Sequence, residues 1–219
     1  MPNYLFFIIF IFICYLLGST PTSIITGRII KGIDIRDHGS GNAGGTNVFR
    51  ILGWKPGLFV IFIDMLKGWI PVAILAPKFY LFGPISDLGV VQIISGFAAV
   101  LGHTYTIFAK FKGGKGVGTL GGMIIALFPT VFPFCLLIAI ITLIMTGYVS
   151  LASIIASCSL PILLLVIPPF LNVYPAPLSI MIFSLLIPWF IIYTHRSNIQ
   201  RIRNGDENQF KKAMFFRKD

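Results

Sequence analysis

Long apolar runs recur along this whole chain, and they constrain its fold more than any other feature. Of its 219 residues, 56% are hydrophobic and only 11% are charged. An α-helix needs about 20 apolar residues to cross the hydrocarbon core of a bilayer. The runs are continuously apolar and do not alternate in segments of about ten residues, as membrane β-barrel strands do. The sequence therefore predicts an all-α fold, a polytopic membrane helical bundle formed by one integral-membrane domain over residues 1–219.

The order of the runs predicts seven transmembrane helices. Three runs, at about residues 4–25, 57–75 and 88–108, precede a basic loop. Three more follow between residues 120 and 193, and the first of these contains Pro129 and Pro133. A split at the two prolines gives four further crossings and a total of seven. The first half of the split run is then only about 18 Å long at a rise of about 1.5 Å per residue. A bundle with five crossings therefore stays open.

Positive charges are concentrated in three segments of the chain. These are the predicted loops over residues 27–55 and 110–119 and the segment after Tyr193, which together hold 15 of the 17 lysines and arginines. Basic segments beside membrane helices stay in the cytoplasm, which predicts a cytoplasmic C-terminus and an N-terminus outside. Membrane orientation thus accounts for the net charge of +10, and we expect no nucleic-acid partner.

The stretch from Ser40 to Arg50 is rich in glycine and small polar residues, which membrane insertion does not explain. Glycines let backbone N–H groups approach a ligand, and successive N–H groups form a concavity that favours an anion. Neutral hydrogen-bond donors and a guanidinium complete a pattern suited to phosphate. The residues with these properties are Ser40, Gly41, Asn42, Thr46, Asn47 and Arg50. The alternative is a flexible turn between two apolar helices.

A second stretch, Lys112–Gly116, sets lysines among glycines and predicts another anion site. It resembles the phosphate-binding loop of nucleotide enzymes, but it lacks their Gly-Lys-Ser/Thr sequence and a preceding strand. We assign phosphate binding here to Lys112, Gly113, Gly114 and Gly116. The three cysteines of the chain show no metal-ligand spacing, so we expect no metal.

Pairs of polar residues at helical spacing form the remaining candidates. Asp64 and Lys67 are three residues apart inside an apolar run, so they share a helix face. They either form an internal ion pair that stabilises the bundle or support the site directly. His195 and Asn198 are also three apart and project from the same side if the helix continues. His103, at the end of the third run, either supports the site or tethers a loop.

These motifs, in this order, resemble those of the bacterial membrane acyltransferases that acylate glycerol 3-phosphate from an acyl phosphate donor. The resemblance covers nearly the whole chain and rests on Gly18-Ser19-Thr20-Pro21, residues 40–50, Asp64-Met65-Leu66-Lys67-Gly68, Gly102-His103, Phe111-Lys112-Gly113-Gly114-Lys115-Gly116, Ser150-Leu151-Ala152-Ser153 and His195-Arg196-Ser197-Asn198-Ile199. It implies a seven-helix fold with a cytoplasmic active site. It also implies catalytic roles for six residues, which are Ser40, Arg50, Lys115, Ser153, His195 and Asn198. The chain departs from the family pattern at Gly45 and Gly118, where the family often has alanine.

The resemblance implies transfer of a fatty acyl group from acyl phosphate to the 1-hydroxyl of glycerol 3-phosphate, the first step of phospholipid synthesis. The expected partners are these two substrates and membrane lipid, with no cofactor and no obligate protein partner. The expected location is the bacterial inner membrane. A transporter of a small phosphorylated anion is the alternative, although the cations gather on one side of the membrane and not at its midplane.

Overall fold

All regular structure described for this chain is helical, as the sequence predicts. The structure, a computed structural model, describes residues 4–174, 176–210 and 214. Its α-helices are α1 (Tyr4–Ser19), α2 (Thr22–Lys31), α3 (Gly45–Leu52), α4 (Trp54–Ile70), α5 (Ala76–Tyr80), α6 (Leu88–Thr104), α7 (Val117–Leu127), α8 (Phe132–Thr146), α9 (Val149–Phe170), α10 (Leu178–Thr194) and α11 (Arg196–Asn204). A π-helical turn joins α4 to α5 over Pro71–Leu75, where Pro71 has no backbone N–H to donate. The chain forms two compact units, Met1–Leu127 and Phe128–Asp219.

Four helical segments within the described residues are each long and apolar enough to cross a membrane. They are Tyr4–Lys31, Trp54–Tyr80, Leu88–Ala109 and Val149–Phe170. A fifth span results if α10 and α11 are taken together across a bend of 58°. The apolar helices α7 and α8 are shorter. The structure thus confirms several apolar helices of membrane-spanning length, whereas the count of seven spans stays a prediction.

Proline or glycine lies at three of the helix breaks, one of which is the predicted split near Pro129 and Pro133. Pro21 lacks a backbone N–H, and α1 ends just before it while α2 begins just after it. Residues 128–131 separate α7 from α8, beside the two prolines of that run. Gly147 takes a positive φ of 73° and ends α8. An L-residue with a side chain would be strained in that conformation, so the chain turns there at little cost only with glycine.

One predicted loop contains a helix that the sequence did not reveal. Residues 27–55 were expected to be a loop, but α3 occupies Gly45–Leu52. Val48 is fully buried, and Ile51, one turn later, packs against the same apolar cluster. Apolar residues three apart are typical of one buried helix face. The second half of the glycine-rich stretch is therefore helical.

Small residues let the helices of the first unit touch. A Cβ atom on Gly18 of α1 would overlap the backbone of Ala99 on α6. A Cβ atom on Gly68 of α4 would overlap the backbone of Thr119 on α7. Glycine at such positions lets helix backbones approach closely, as is common in membrane bundles. These contacts fix α4 and α6, the helices that carry Asp64 and His103.

The second unit is built around α9, which packs against α8 and α10. Residues 171–177 connect α9 to α10. The start of α9 and the end of α10 therefore lie at the same end of this helix pair. That end carries Ser153, His195 and Asn198.

Candidate active site

The buried Asn47 on α3 sets the shape of residues 38–44, which we call loop A. Its Oδ1 accepts the backbone N–H of Ser40 at 2.9 Å. Its Nδ2 donates to two backbone carbonyls in the segment before α3, both at 2.9 Å. A Cβ atom on Gly39, which takes a φ of +61°, would overlap Oδ1 of Asn47. Both amide hydrogens of Asn47 are thus used to hold loop A in its conformation.

Loop A leads into the polar face of α3. Thr46 and Arg50 are four residues apart and therefore share one face of this helix. Both are partly exposed, whereas Asn47 is 1% exposed. Gly41 of loop A takes a φ of +69°, and Asn42 follows it. The structure thus gathers all the predicted residues of the first stretch in loop A and the adjoining helix.

Residues 110–116 form loop B, which is fastened to the end of α6. Gly113 and Gly114 donate their backbone N–H groups to carbonyls of α6 at 3.0 and 3.1 Å. A Cβ atom on Gly113 would overlap the carbonyl oxygen of His103. Only glycine allows two backbones to approach this closely.

Loop B lies directly beside loop A. A Cβ atom on Gly114 would be only 2.9 Å from the carbonyl oxygen of Ala43 in loop A. Lys115 is partly exposed between the buried Gly114 and Gly116, and Lys112 is exposed. Two lysines therefore belong to the loop that adjoins loop A.

Arg36 ties the segment before loop A to loop B, a role that the sequence did not reveal. Its Nε and Nη2 donate to the carboxylate of Asp34 at 3.0 and 2.7 Å. Its Nη1 donates to the backbone carbonyls of Ala109 and Lys112 at 3.1 and 3.3 Å. The hydrogen bond from Arg36 lowers the pKa of Asp34 to about 2. The pair is therefore ionised at neutral pH and holds the two loops together.

A buried cluster of three ionisable side chains contacts loop B from the helices. Nζ of Lys67 donates to the carboxylate of Asp64 at 2.6 Å and to the carbonyl of Thr20 at 2.7 Å. Nδ1 of His103 is 3.6 Å from the same carboxylate. A Cβ atom on Gly114 would overlap Nε2 of His103. The predicted ion pair thus forms, and it extends through the histidine ring to loop B.

In the second unit, His195 lies at the bend between two helices. The sequence places His195 and Asn198 on one helix face only if the helix continues. It does not continue, because α10 ends at Thr194 and α11 begins at Arg196 after the 58° bend. Nδ1 of His195 is 2.8 Å from the carbonyl oxygen of Ile191. A carbonyl oxygen only accepts, so Nδ1 carries the hydrogen. The neutral ring then has its lone pair on Nε2.

Asn198 is held by Glu207, a residue that no sequence motif singled out. Nδ2 of Asn198 donates to Oε1 of Glu207 at 2.6 Å, and the hydroxyl of Ser150 donates to the same oxygen at 2.8 Å. Nε of Arg201 donates to Oε2 at 2.8 Å. Burial alone would raise the pKa of Glu207, but the hydrogen bonds from Asn198, Arg201 and Ser150 outweigh burial and lower it. Glu207 is therefore ionised at neutral pH.

Ser153 lies one turn beyond Ser150 on α9. Its hydroxyl donates to the backbone carbonyl of Val149 at 2.9 Å, and the residue is partly buried. Residues three apart share a helix face. Ser153 is therefore on the same side of α9 as the serine that contacts Glu207.

Known proteins of one family match this chain over nearly all of its length. The family model for Glycerol-3-phosphate acyltransferase matches residues 8–205. The glycerol-3-phosphate acyltransferase of Chlorobium phaeobacteroides (strain BS1) is 40% identical over 93% of this chain and 96% of its own. The protein of the same name from Chlorobaculum parvum is 42% identical, again over 93% and 96%.

Two solved structures share the fold. Both are crystal structures of PlsY (YgiH), an integral membrane glycerol 3-phosphate acyltransferase. The glycerol 3-phosphate form has a TM-score of 0.77 and 39% identity, covering 93% of this chain and 95% of its own. The lysophosphatidic acid form has a TM-score of 0.77 and 38% identity, with coverages of 93% and 94%. The chain is therefore an integral-membrane acyltransferase that belongs to the glycerol-3-phosphate acyltransferase family.

Proposed function

We propose that this protein transfers a fatty acyl group from acyl phosphate to the 1-hydroxyl of glycerol 3-phosphate. The products are 1-acyl-glycerol 3-phosphate and inorganic phosphate. Both substrates carry a phosphate group, and the observation that carries the proposal is the contact between loops A and B. Two glycine loops, each with predicted phosphate ligands, lie side by side in a membrane protein of this family. Family membership also favours this enzyme over the phosphate-anion transporter.

The first unit supplies the phosphate-binding groups in this proposal. The backbone N–H groups of Gly113 and Gly114 are bonded to α6, and that of Gly41 is bonded to the carbonyl of His38, so these three predicted ligands shape the loops and do not offer N–H groups to phosphate. Gly116 and the loop side chains are assigned to the anions. The cations assigned to the two phosphates are Arg50, Lys112 and Lys115, and the neutral donors are Ser40, Asn42 and Thr46. Arg50 forms a fixed fork that matches phosphate oxygens, whereas lysine acts as a point charge. Asn47 contributes by shaping loop A.

The chemistry requires positioning and charge stabilisation more than activation, because acyl phosphate is already a reactive donor. The 1-hydroxyl oxygen attacks the acyl carbon, and a tetrahedral state with a negatively charged oxygen forms. The bond between the acyl carbon and the phosphate oxygen then breaks, and phosphate leaves with its charge offset by Arg50 and Lys115. The hydroxyl proton passes either to Nε2 of His195 or to a phosphate oxygen. Ser153 and Asn198 are assigned as neutral polar contacts to the reacting groups.

The donor assignment is tested with purified protein, labelled glycerol 3-phosphate and either palmitoyl phosphate or palmitoyl-coenzyme A. We expect labelled 1-acyl-glycerol 3-phosphate and stoichiometric inorganic phosphate only with the acyl phosphate. Equal turnover with the coenzyme A thioester would overturn the donor assignment. Uptake of label into proteoliposomes without product formation would instead support the transporter.

We also propose that the chain spans the bacterial inner membrane seven times, with the site in the cytoplasm. The distribution of cations supports this orientation. Within the second unit, the backbone N–H of Phe210 donates to the carbonyl of Gly147 at 2.7 Å. The turn before α9 therefore lies on the same side as the segment after α11, so α9 and α10 cross as a pair. The number of spans is then seven if α7 and α8 also cross the membrane, and five if they do not.

Thr130, exposed in the turn between α7 and α8, separates the two topologies. A single cysteine is introduced as Thr130→Cys after Cys14, Cys135 and Cys158 are replaced by alanine. Intact cells are treated with a membrane-impermeant maleimide, with Arg203→Cys as the cytoplasmic control. Seven spans predict that Thr130→Cys reacts in intact cells while Arg203→Cys reacts only after lysis. Reaction of both positions only after lysis would support five spans.

A further inference from the structure

The chain folds back on itself after α11, over residues 205–210, which we call the return segment. Gly205 takes a positive φ of 79° and ends α11, with its N–H bonded to the last turn of the helix. Five residues later, the N–H of Phe210 donates to the carbonyl of Gly147. The return segment therefore runs from the end of α11 to the turn before α9.

The return segment brings one carboxylate to the bend that carries His195 and Asn198. The side chain of Glu207 is only 5% exposed. Three donors surround it, and they come from α9 and α11. A buried carboxylate is costly unless hydrogen bonds compensate its charge. Here Asn198, Ser150 and Arg201 provide that compensation.

The chemistry of a carboxylate determines how Asn198 is oriented. An ionised carboxylate accepts hydrogen bonds and donates none. Asn198 must therefore turn its Nδ2 toward Glu207 and its Oδ1 away from it. A neutral amide partner would impose no such choice, because it offers one donor group and one acceptor.

We propose that Glu207 is a positioning residue for acyl transfer, whose carboxylate fixes the orientation of the Asn198 amide and ties the α10–α11 bend to the start of α9. The proposal rests on the catalytic role proposed for Asn198. Glu207 contacts no substrate and acts through Asn198. The return segment contains no lysine or arginine, so its proposed role lies in acyl transfer and not in membrane orientation.

The central test is Glu207→Gln, with Asp206→Asn as its matched control. Glutamine has nearly the same shape, but it cannot accept from Asn198 on one side and from Arg201 on the other. Asp206 is the exposed neighbour, and its change to asparagine removes the same charge. We expect kcat of Glu207→Gln to fall at least about tenfold, because small misplacements of a reacting group are costly. KM for both substrates should change less than about threefold, and Asp206→Asn should match the wild type.

Glu207→Asp separates positioning from packing. Aspartate is shorter but keeps the acceptor-only charge, so it should retain more activity than glutamine. A packing role would give the reverse order, since glutamine preserves the shape and aspartate leaves a gap. Higher activity of Glu207→Gln than of Glu207→Asp would overturn the proposal.

A double-mutant cycle tests whether Glu207 acts through Asn198. In an Asn198→Ala background, Glu207→Gln should lower kcat by less than about threefold more, because the group that it orients is gone. An equal loss in both backgrounds would show that Glu207 acts independently, and the proposal would fail. The cycle also distinguishes this failure from failure of the proposed function. Near-normal activity of Asn198→Ala would refute the role of Asn198 and with it the proposal. Loss of activity in Asn198→Ala without loss of activity in Glu207→Gln would refute only the positioning role of Glu207.

Discussion

Replacing Asp64 with asparagine leaves the Lys67 ammonium buried without its counter-ion. The two side chains are each 5% exposed, and 2.6 Å separates Nζ from the carboxylate oxygen. Removing one partner of a buried ion pair costs about 3–5 kcal/mol, because the remaining charge is desolvated and unpaired. For a chain of this size each kcal/mol lowers Tm by about 2–4 °C. Asp64→Asn should therefore lower Tm by about 6–20 °C.

The measurement is thermal unfolding in detergent, together with acyl transfer at a temperature where every variant is folded. Asp87→Asn is the matched control, because Asp87 caps the N-terminus of α6 and asparagine caps nearly as well. Its Tm should stay within a few degrees of wild type. The double variant Asp64→Leu/Lys67→Met removes both charges, and we expect it to recover most of the lost stability.

Activity of the double variant decides what the pair is for. We expect it to remain at least about tenfold below wild type, because His103, which packs against loop B, loses the carboxylate that faces it. Full activity in the double variant would mean that the pair only joins helices. A Tm for Asp64→Asn within about 2 °C of wild type would refute the energetic argument itself.

Three further predictions concern the loops. Arg50→Ala and Lys115→Ala should each cost about 2–4 kcal/mol of transition-state stabilisation, or roughly 30- to 1,000-fold in rate. Arg50→Lys should restore little of the activity, because an ammonium cannot form the guanidinium fork. Folded Arg50→Ala or Lys115→Ala protein that keeps more than about a third of wild-type activity would contradict these roles. Gly113→Ala should lower the rate of acyl transfer at least about tenfold, because its Cβ would overlap the His103 carbonyl. Gly118→Ala is the control, since its Cβ would meet Asp64 Cβ at 3.1 Å, and its rate should stay within about threefold of wild type. Because the folded pKa of Asp34 is lowered from 3.8 to about 2, its stabilisation is present above pH 3.8 and is lost as pH falls through about 2. The Tm difference between wild type and Asp34→Asn should shrink over that range, and a constant difference would contradict the ion pair with Arg36.

Local signals in the sequence determined much of this protein. Apolar runs predicted membrane helices because helix formation in a bilayer depends on the length and hydrophobicity of a segment. Pro21 and Gly147 marked breaks because their effects on backbone conformation are local. The spacing of Asp64 and Lys67 predicted their contact because three residues separate neighbours on a helix face. The order of the motifs identified the family.

Only the tertiary structure decided how the polar groups are held. Arg36 reaches the carbonyl of Lys112 across 76 residues, and Ser150 reaches Glu207 across 57. Such contacts depend on which helices pack together, and no local pattern records that choice. The position of His195 at a bend, which no proline or glycine beside it marks, has the same origin. Sequence therefore determined which segments become helices and loops, whereas long-range packing decided the partners that fix loop B and Asn198.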